Sequence, residues 1–170
     1  NIKRLTTNYR FPFLQMAIES INSFDEKTGE SEALVLLKMM DSYFPPDVLP
    51  INNFELELQI SDLYLRAGGK EESQNVLSRM AEYNITMQNR YAIGQRFWMD
   101  HKNIEKAELI FISLYNDYPN VYDIMITLVQ LYAHEGQNAK AVSILSGWLI
   151  NNPNDKKAQE MLNMLKRQSA

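Results

Sequence analysis

The stretch KAELIFISLYNDYP, residues 106–119, decides how this chain is read. Ala107, Ile110, Phe111 and Leu114 recur at i, i+3, i+4 and i+7 and draw one apolar stripe along a helix. Asn116 and Asp117 followed by Pro119 end that helix, because proline lacks a backbone donor and biases the residue before it away from helical geometry. KAVSILSGWLINNP, residues 140–153, writes the same phrase with Ala141, Ile144, Leu145 and Trp148, stopped by Asn151, Asn152 and Pro153. EALVLLKMMDSYFP, residues 32–45, is a third version. Ala107 to Ala141 and Pro119 to Pro153 are both spacings of 34 residues.

Upstream of each phrase stands a large aromatic. Tyr132 lies nine residues before Ala141, Trp98 nine before Ala107, Tyr64 nine before Ser73 and Phe24 nine before Ala33. Gly136, Gly68 and Gly29 fall in the intervening turns. Each unit is therefore a helix closed by an aromatic, a turn, and a second helix opened by a small residue. The small residue lets the two helices approach, and the aromatic fills the space beside it.

This pattern resembles the tetratricopeptide repeat (TPR) family, whose 34-residue unit carries W-x2-L-G-x2-Y, then A-x3-F, then P. Repeats are assigned at 14–47, 54–87, 88–121 and 122–155, covering 136 of the 170 residues. In the last, Leu128, Tyr132, Gly136, Ala141, Leu145 and Pro153 occupy the family positions; the first supplies Phe24, Ala33, Leu37 and Pro45. The resemblance implies an all-α, right-handed α-α superhelix of about four helix pairs. Residues 156–170 form a capping helix and tail, because Ala158, Met161, Leu162 and Leu165 make one apolar stripe while Lys156, Lys157, Glu160, Lys166 and Arg167 solvate the other side. Residues 1–13 read as a helical lead-in broken near Pro12, and 48–53 as an ordered, extended linker.

The repeats depart from the pattern in places. The second has Ser73 for the small alanine and Ile85 where proline is expected. The third admits two registers. Phe97 is the closing aromatic if Ile93 and Gly94 take the Leu-Gly positions, with a turn one residue longer; Trp98 is the aromatic if the turn is standard. Trp148, at a usually small position, is expected to pack on the segment beyond Pro153.

Residues 1–84 also resemble the C-terminal TPR tail of bacterial multi-spanning membrane proteins similar to protein O-mannosyltransferases. The cues are NIKRL and NYRF, then ALVLLKMMDSYFPPDVLPIN, then LQISDLYLRAGGKEES. That resemblance implies a structural or regulatory tail, held at a bacterial membrane by segments upstream of Asn1. The chain starts at Asn1 rather than Met and reads as a piece of a longer protein.

Composition narrows the chemistry. The formal net charge is −4 and no basic cluster exceeds Lys166-Arg167 and Lys3-Arg4, which argues against a nucleic-acid partner. No apolar run approaches the length of a membrane span, so direct membrane insertion is not expected. The absence of cysteine removes disulfides, thiolate metal sites and a cysteine nucleophile. His101 and His134 have no ligand-spaced partner and read as solvated turn residues. AGGKEES, residues 67–73, lacks the first glycine of a phosphate loop and reads as a helix–turn–helix junction. The carboxylates Asp25-Glu26, Glu71-Glu72, Glu105 and Glu108 read as solvated faces and first-turn dipole partners. The nine methionines read as gap-filling core. The sequon Asn84-Ile85-Thr86 matters only in a eukaryotic secretory context. No catalytic residue, metal or cofactor is expected, and the chain is not expected to be an enzyme.

What remains is binding. By the TPR resemblance, the first helices line a concave groove for a protein or peptide partner. The family's groove positions carry over to Asn22, Asp62, Arg96 and Gln130 in one row and to Glu26, Arg66, Asp100 and His134 in another, with Ile18, Leu58, Ala92 and Ile126 between. Arg96 leaves its row if Phe97 is the closing aromatic. Asn22 matches a position of the chaperone-tail carboxylate clamp, but Ile18 and Ile93 replace its cations, so chaperone-tail binding is not expected.

Overall fold

The computed structural model describes residues 2–23, 26–83 and 85–168. Among them all regular structure is helical: α1 (Ile2–Ile21), α2 (Glu26–Tyr43), α3 (Phe54–Arg66), α4 (Lys70–Ala81), α5 (Met87–Met99), α6 (Ile104–Asp117), α7 (Tyr122–His134), α8 (Asn138–Asn151) and α9 (Lys156–Gln168). The chain divides into two bodies, Asn1–Asn84 and Ile85–Ala170. In the first, α1 packs on α2 and α3 on α4, and α3 also meets α1 and α2. In the second, α5 packs on α6, α6 on α7, α7 on α8 and α8 on α9. Phe24, Asp25, the Glu26 side chain, the Lys3-Arg4 side chains and Asn84 of the sequon lie outside the described residues.

Local chemistry sets the helix ends. Asn53 Oδ1 accepts from Leu56 N–H at 2.9 Å, Thr86 Oγ1 from Asn89 N–H at 3.2 Å and Asn103 Oδ1 from Lys106 N–H at 3.2 Å, each satisfying a first-turn donor. α6 and α8 stop at Asp117 and Asn151, two residues before the prolines that mark them in the sequence. After Tyr64 and Tyr132 the chain turns at Gly68 and Gly136, with φ of 80° and 68°, and the next N–H returns to the aromatic's carbonyl at 2.8 Å in both cases.

The third repeat settles its register in favour of Phe97. Phe97 and Ile93 are buried, and Trp98 is only half-buried. Gly94 lies against the Phe111 ring, where a Cβ would come within 2.8 Å of Cε1. The turn is one residue longer than its neighbours: Lys102 takes the left-handed conformation at φ 54°, and Asn103 N–H returns to Phe97 O at 2.8 Å. Ser73, the departure in repeat 2, is buried against Ser61, with their hydroxyls 2.8 Å apart. Two small hydroxyl residues thus hold the close helix approach that alanine holds elsewhere.

Several expectations are corrected. α1 continues through Pro12. The proline removes one ladder bond and costs about 3 kcal/mol. Burial of Leu14 and Ala17 against the neighbouring helices works in the opposite direction. The chain enters the 48–53 linker by a compact turn over 46–48 rather than an extended Pro45-Pro46, with Val48 and Leu49 N–H both bonded to Pro45 O, and beyond it the linker has no regular structure, as expected. His101 is buried, not solvated, because the longer turn folds it back beside Phe97, ring centroids 6.1 Å apart. Of the methionines, Met40, Met80 and Met125 are core, while Met16, Met39, Met99 and Met164 are exposed.

Trp148 does reach forward: its Nε1–H donates to Asp155 Oδ2 at 2.9 Å, and Asp155 Oδ1 caps α9 by accepting from Ala158 N–H at 3.1 Å. Those two donors, the Ala158 amide first, hold the Asp155 carboxyl below its ordinary pKa. Ala158 and Leu165 are buried, and the charged face of α9 is exposed as expected.

Candidate binding site

α3, α5 and α7 are each 13 residues long, so their positions correspond one for one. The ninth residues are Asp62, Gln95 and Gln130, the fifth are Leu58, Tyr91 and Ile126, and the thirteenth are Arg66, Met99 and His134. Gln95, not Arg96, is therefore the counterpart of Asp62 and Gln130 in the third repeat, as the longer turn requires. Tyr91 and Met99 likewise replace Ala92 and Asp100. Arg96 sits one residue away, with Nη1 3.3 Å from Asp100 Oδ2. Ile93, at a clamp position by the resemblance, is a core residue.

In the C-terminal body, α5 and α7 enclose a cleft of about 330 Å³. Met87, Gln88 and Tyr91 come from one side, and Asp123, Ile124, Ile126, Thr127 and Gln130 from the other. A hydrogen-bonded relay crosses it: Gln95 Nε2 lies 3.0 Å from Tyr91 Oη, Tyr91 Oη 2.7 Å from Thr127 Oγ1, and Thr127 Oγ1 2.7 Å from Asp123 O. Gln130 is exposed at the mouth. His134 stands further along α7, exposed, its ring edge-on to Trp98 and Nδ1 2.8 Å from Glu135 Oε1.

The N-terminal body has a more apolar cleft of about 290 Å³ between α1 and α3, walled by Leu14, Ile18, Leu56 and Leu63 with Gln15, Glu19 and Gln59 beside them. Here two expected site residues meet: Arg66 Nη2 donates to Asn22 Oδ1 at 3.2 Å. Asp62 is half-buried one helical turn before Arg66.

Sequence reasoning passed over a buried ionic cluster in this body. Arg10 is fully buried and donates from Nη2 to Phe44 O at 2.9 Å and to Leu49 O at 2.6 Å, with its guanidinium over the Phe44 ring. Burial pulls its pKa down, and Asp41 and Glu57 oppose that. Glu57, almost wholly buried, lies 3.7 Å from Arg79. Burial raises the Asp41 and Glu57 carboxyls above their ordinary range despite these cations. Asp41 also accepts from Tyr64 Oη at 2.8 Å, and burial together with that carboxylate raises the phenol. The available signal was periodicity: Arg10, Leu14 and Ala17 share one helical stripe, so the cation had to enter the core.

Among the described residues no group of three or more His, Cys, Asp or Glu could hold a metal ion, and no helix is long and apolar enough to cross a membrane.

Paired antiparallel helices, with a buried aromatic and a small residue at the α3–α4, α5–α6 and α7–α8 hairpins, define a TPR-like helical-repeat fold. Crystal structures of MamA share it. One, of MamA from AMB-1, has a TM-score of 0.53 at 16% identity, covering 96% of this chain and 82% of that one. Another has a TM-score of 0.51 at 15% identity, covering 95% and 81%. At this identity the likeness is one of fold. No protein-family model matches the chain, and no curated protein matches it.

Proposed function

We propose that the chain is a non-catalytic interaction scaffold that holds a segment of a partner protein against the first-helix faces of its repeats. The observation that supports this is the cleft between α5 and α7, apolar at its walls and polar along one line, which suits a side chain and backbone laid across parallel helices. Asn22, Asp62 and Arg66 are the groove positions of the N-terminal body. Gln130 and His134, with Gln95 for Arg96, are those of the C-terminal body. Solenoid repeats offer such surfaces because each pair contacts only its neighbours and leaves one helix face unfilled.

Selection of displayed random peptides on the immobilised protein tests the reading. Enriched peptides should bind in the micromolar range and lose at least about tenfold with Ile126→Asp or Gln130→Ala. Enriched peptides indifferent to both changes, and to Asn22→Ala and Asp62→Ala, would place binding elsewhere. The role of membrane-tethered tail to a glycosyl- or mannosyltransferase-like protein rests on the resemblance of residues 1–84 alone. It stands or falls on whether apolar spans precede Asn1 in the parent chain.

A further inference from the structure

The polarity of the α5–α7 cleft can be worked out proton by proton. A carbonyl oxygen only accepts, so the Thr127 hydroxyl proton is committed to Asp123 O at 2.7 Å. The 2.7 Å contact between Tyr91 and Thr127 must then be donated by Tyr91. With the single Tyr91 proton used, the 3.0 Å contact to Gln95 must be donated by the Gln95 amide nitrogen. Both hydroxyl protons are spent within the relay, and the two hydroxyls have only oxygen lone pairs left to offer. Asp123 adds a carboxylate on the same wall, and among the described residues no Lys, Arg or His lines the cleft. Arg90, on α5, is engaged by Asp117 at 2.7 Å and Ser113 at 2.6 Å. The remaining walls, Met87, Val121, Ile124 and Ile126, are apolar, and the amides of Gln88 and Gln130 can turn either a donor or an acceptor inward.

A cleft with apolar sides, an anionic end and two hydroxyls that can only accept favours a cationic side chain with an aliphatic stem. We propose that it takes the lysine or arginine of a bound protein segment, with the methylene stem along Met87, Val121 and Ile126 and the cationic head at Asp123 and the Tyr91–Thr127 oxygens. This rests on the scaffold reading above and names the chemistry of its partner. A carboxylate would meet lone pairs and a like charge there, and a purely aliphatic side chain would leave the acceptors dry and unpaired.

The test uses the full chain, isotope-labelled for NMR, and three acetylated, amidated peptides, Ala-Ala-Xaa-Ala-Ala, with arginine, norleucine or glutamate at Xaa. The arginine peptide should shift the resonances of Tyr91, Thr127 and Gln130 saturably. It should bind about tenfold more tightly than the norleucine peptide, the difference a charge-assisted hydrogen bond makes. Asp123→Asn should remove most of that difference, and Asp123→Lys should turn the preference to glutamate. Circular dichroism and melting would confirm that both variants fold. Equal binding of the arginine and norleucine peptides would overturn the cationic assignment and leave the scaffold reading standing. Glutamate preference in the unaltered protein, or no shift at the cleft with any peptide, would overturn it too, and the scaffold reading would then be decided by its own peptide selection.

Discussion

Arg10 Nη2 lies 2.6 Å from the carbonyl oxygen of Leu49, 39 residues away along the chain. The same nitrogen holds Phe44 O at 2.9 Å, so one side chain of α1 closes both ends of the turn that leads from α2 to α3. The linker owes its shape to a cation buried in the helix before it. Arg10→Met removes that donor, leaves two carbonyls without it, and takes a countercharge from Glu57 and Asp41. The expected loss is about 1–3 kcal/mol, the cost of leaving buried acceptors without their donor. Urea unfolding followed by circular dichroism measures it, and a loss below about 1 kcal/mol would show that water satisfies the turn equally well.

Glu57 responds to pH in a sense opposite to most carboxylates. Burial raises its folded-state pKa, against the attraction of Arg79 and Arg10. The folded state therefore binds the proton more readily than the unfolded state, and the penalty of the buried charge, present at neutral pH, is relieved as pH falls through the folded-state value. Glu57→Gln lacks this titration. The stability of the unaltered protein relative to Glu57→Gln should rise between pH 7 and pH 4.5, as read from urea midpoints. Comparison with the variant cancels carboxylates of the usual sign, such as Glu72, which the Lys38 ammonium pulls down. A difference that stays flat or falls would refute the assignment.

Tyr132 donates to Glu108 Oε1 at 3.0 Å, and Lys140 reaches the same oxygen at 2.7 Å. Burial, with help from Glu108, pushes the Tyr132 phenol up to about 12. Tyr132→Phe should cost about 1 kcal/mol, and a double-mutant cycle with Glu108→Gln should recover most of it as coupling. Additive losses would mean the contact contributes nothing of its own.

Two glycines within helices should behave oppositely. A Cβ on Gly94 would sit 2.8 and 2.9 Å from Phe111 ring atoms, so Gly94→Ala must displace a buried ring and should destabilise by about 1–3 kcal/mol despite the helix-propensity gain. At Gly147 of α8 the nearest atom is Tyr115 Oη at 3.8 Å, and Gly147→Ala should stabilise by up to about 1 kcal/mol. Thermal melts of both variants check the pair; Gly94→Ala melting at or above the unaltered protein would contradict the close approach.

The register of the third repeat has its own test. Phe97→Ala should cost about 3–5 kcal/mol, and Trp98→Ala distinctly less, because Phe97 is buried and Trp98 only half so. The reverse order would restore the standard turn.

The repeats were legible in the sequence because they rest on local, periodic constraints. A proline or asparagine stops a helix wherever it falls. An alanine 34 residues from another alanine marks the same close approach, and an aromatic nine residues before it fills the same space. Those rules place the helix pairs, while the expected groove positions Asn22, Asp62, Arg66, Gln130 and His134 are only what the TPR resemblance implies. They could not choose between Phe97 and Trp98, since both aromatics satisfy the period within one residue. Packing decides that, through the burial of Phe97 and the close approach of Gly94 to Phe111, and it makes Gln95 rather than Arg96 the counterpart of Asp62 and Gln130. Nor could they pair Arg10 with the Phe44 and Leu49 carbonyls, fold His101 inward, or align the hydrogen bonds from Gln95 through Tyr91 and Thr127 to Asp123. Each of these depends on groups brought together from separate helices, where desolvation and hydrogen-bond direction act only after the chain has packed.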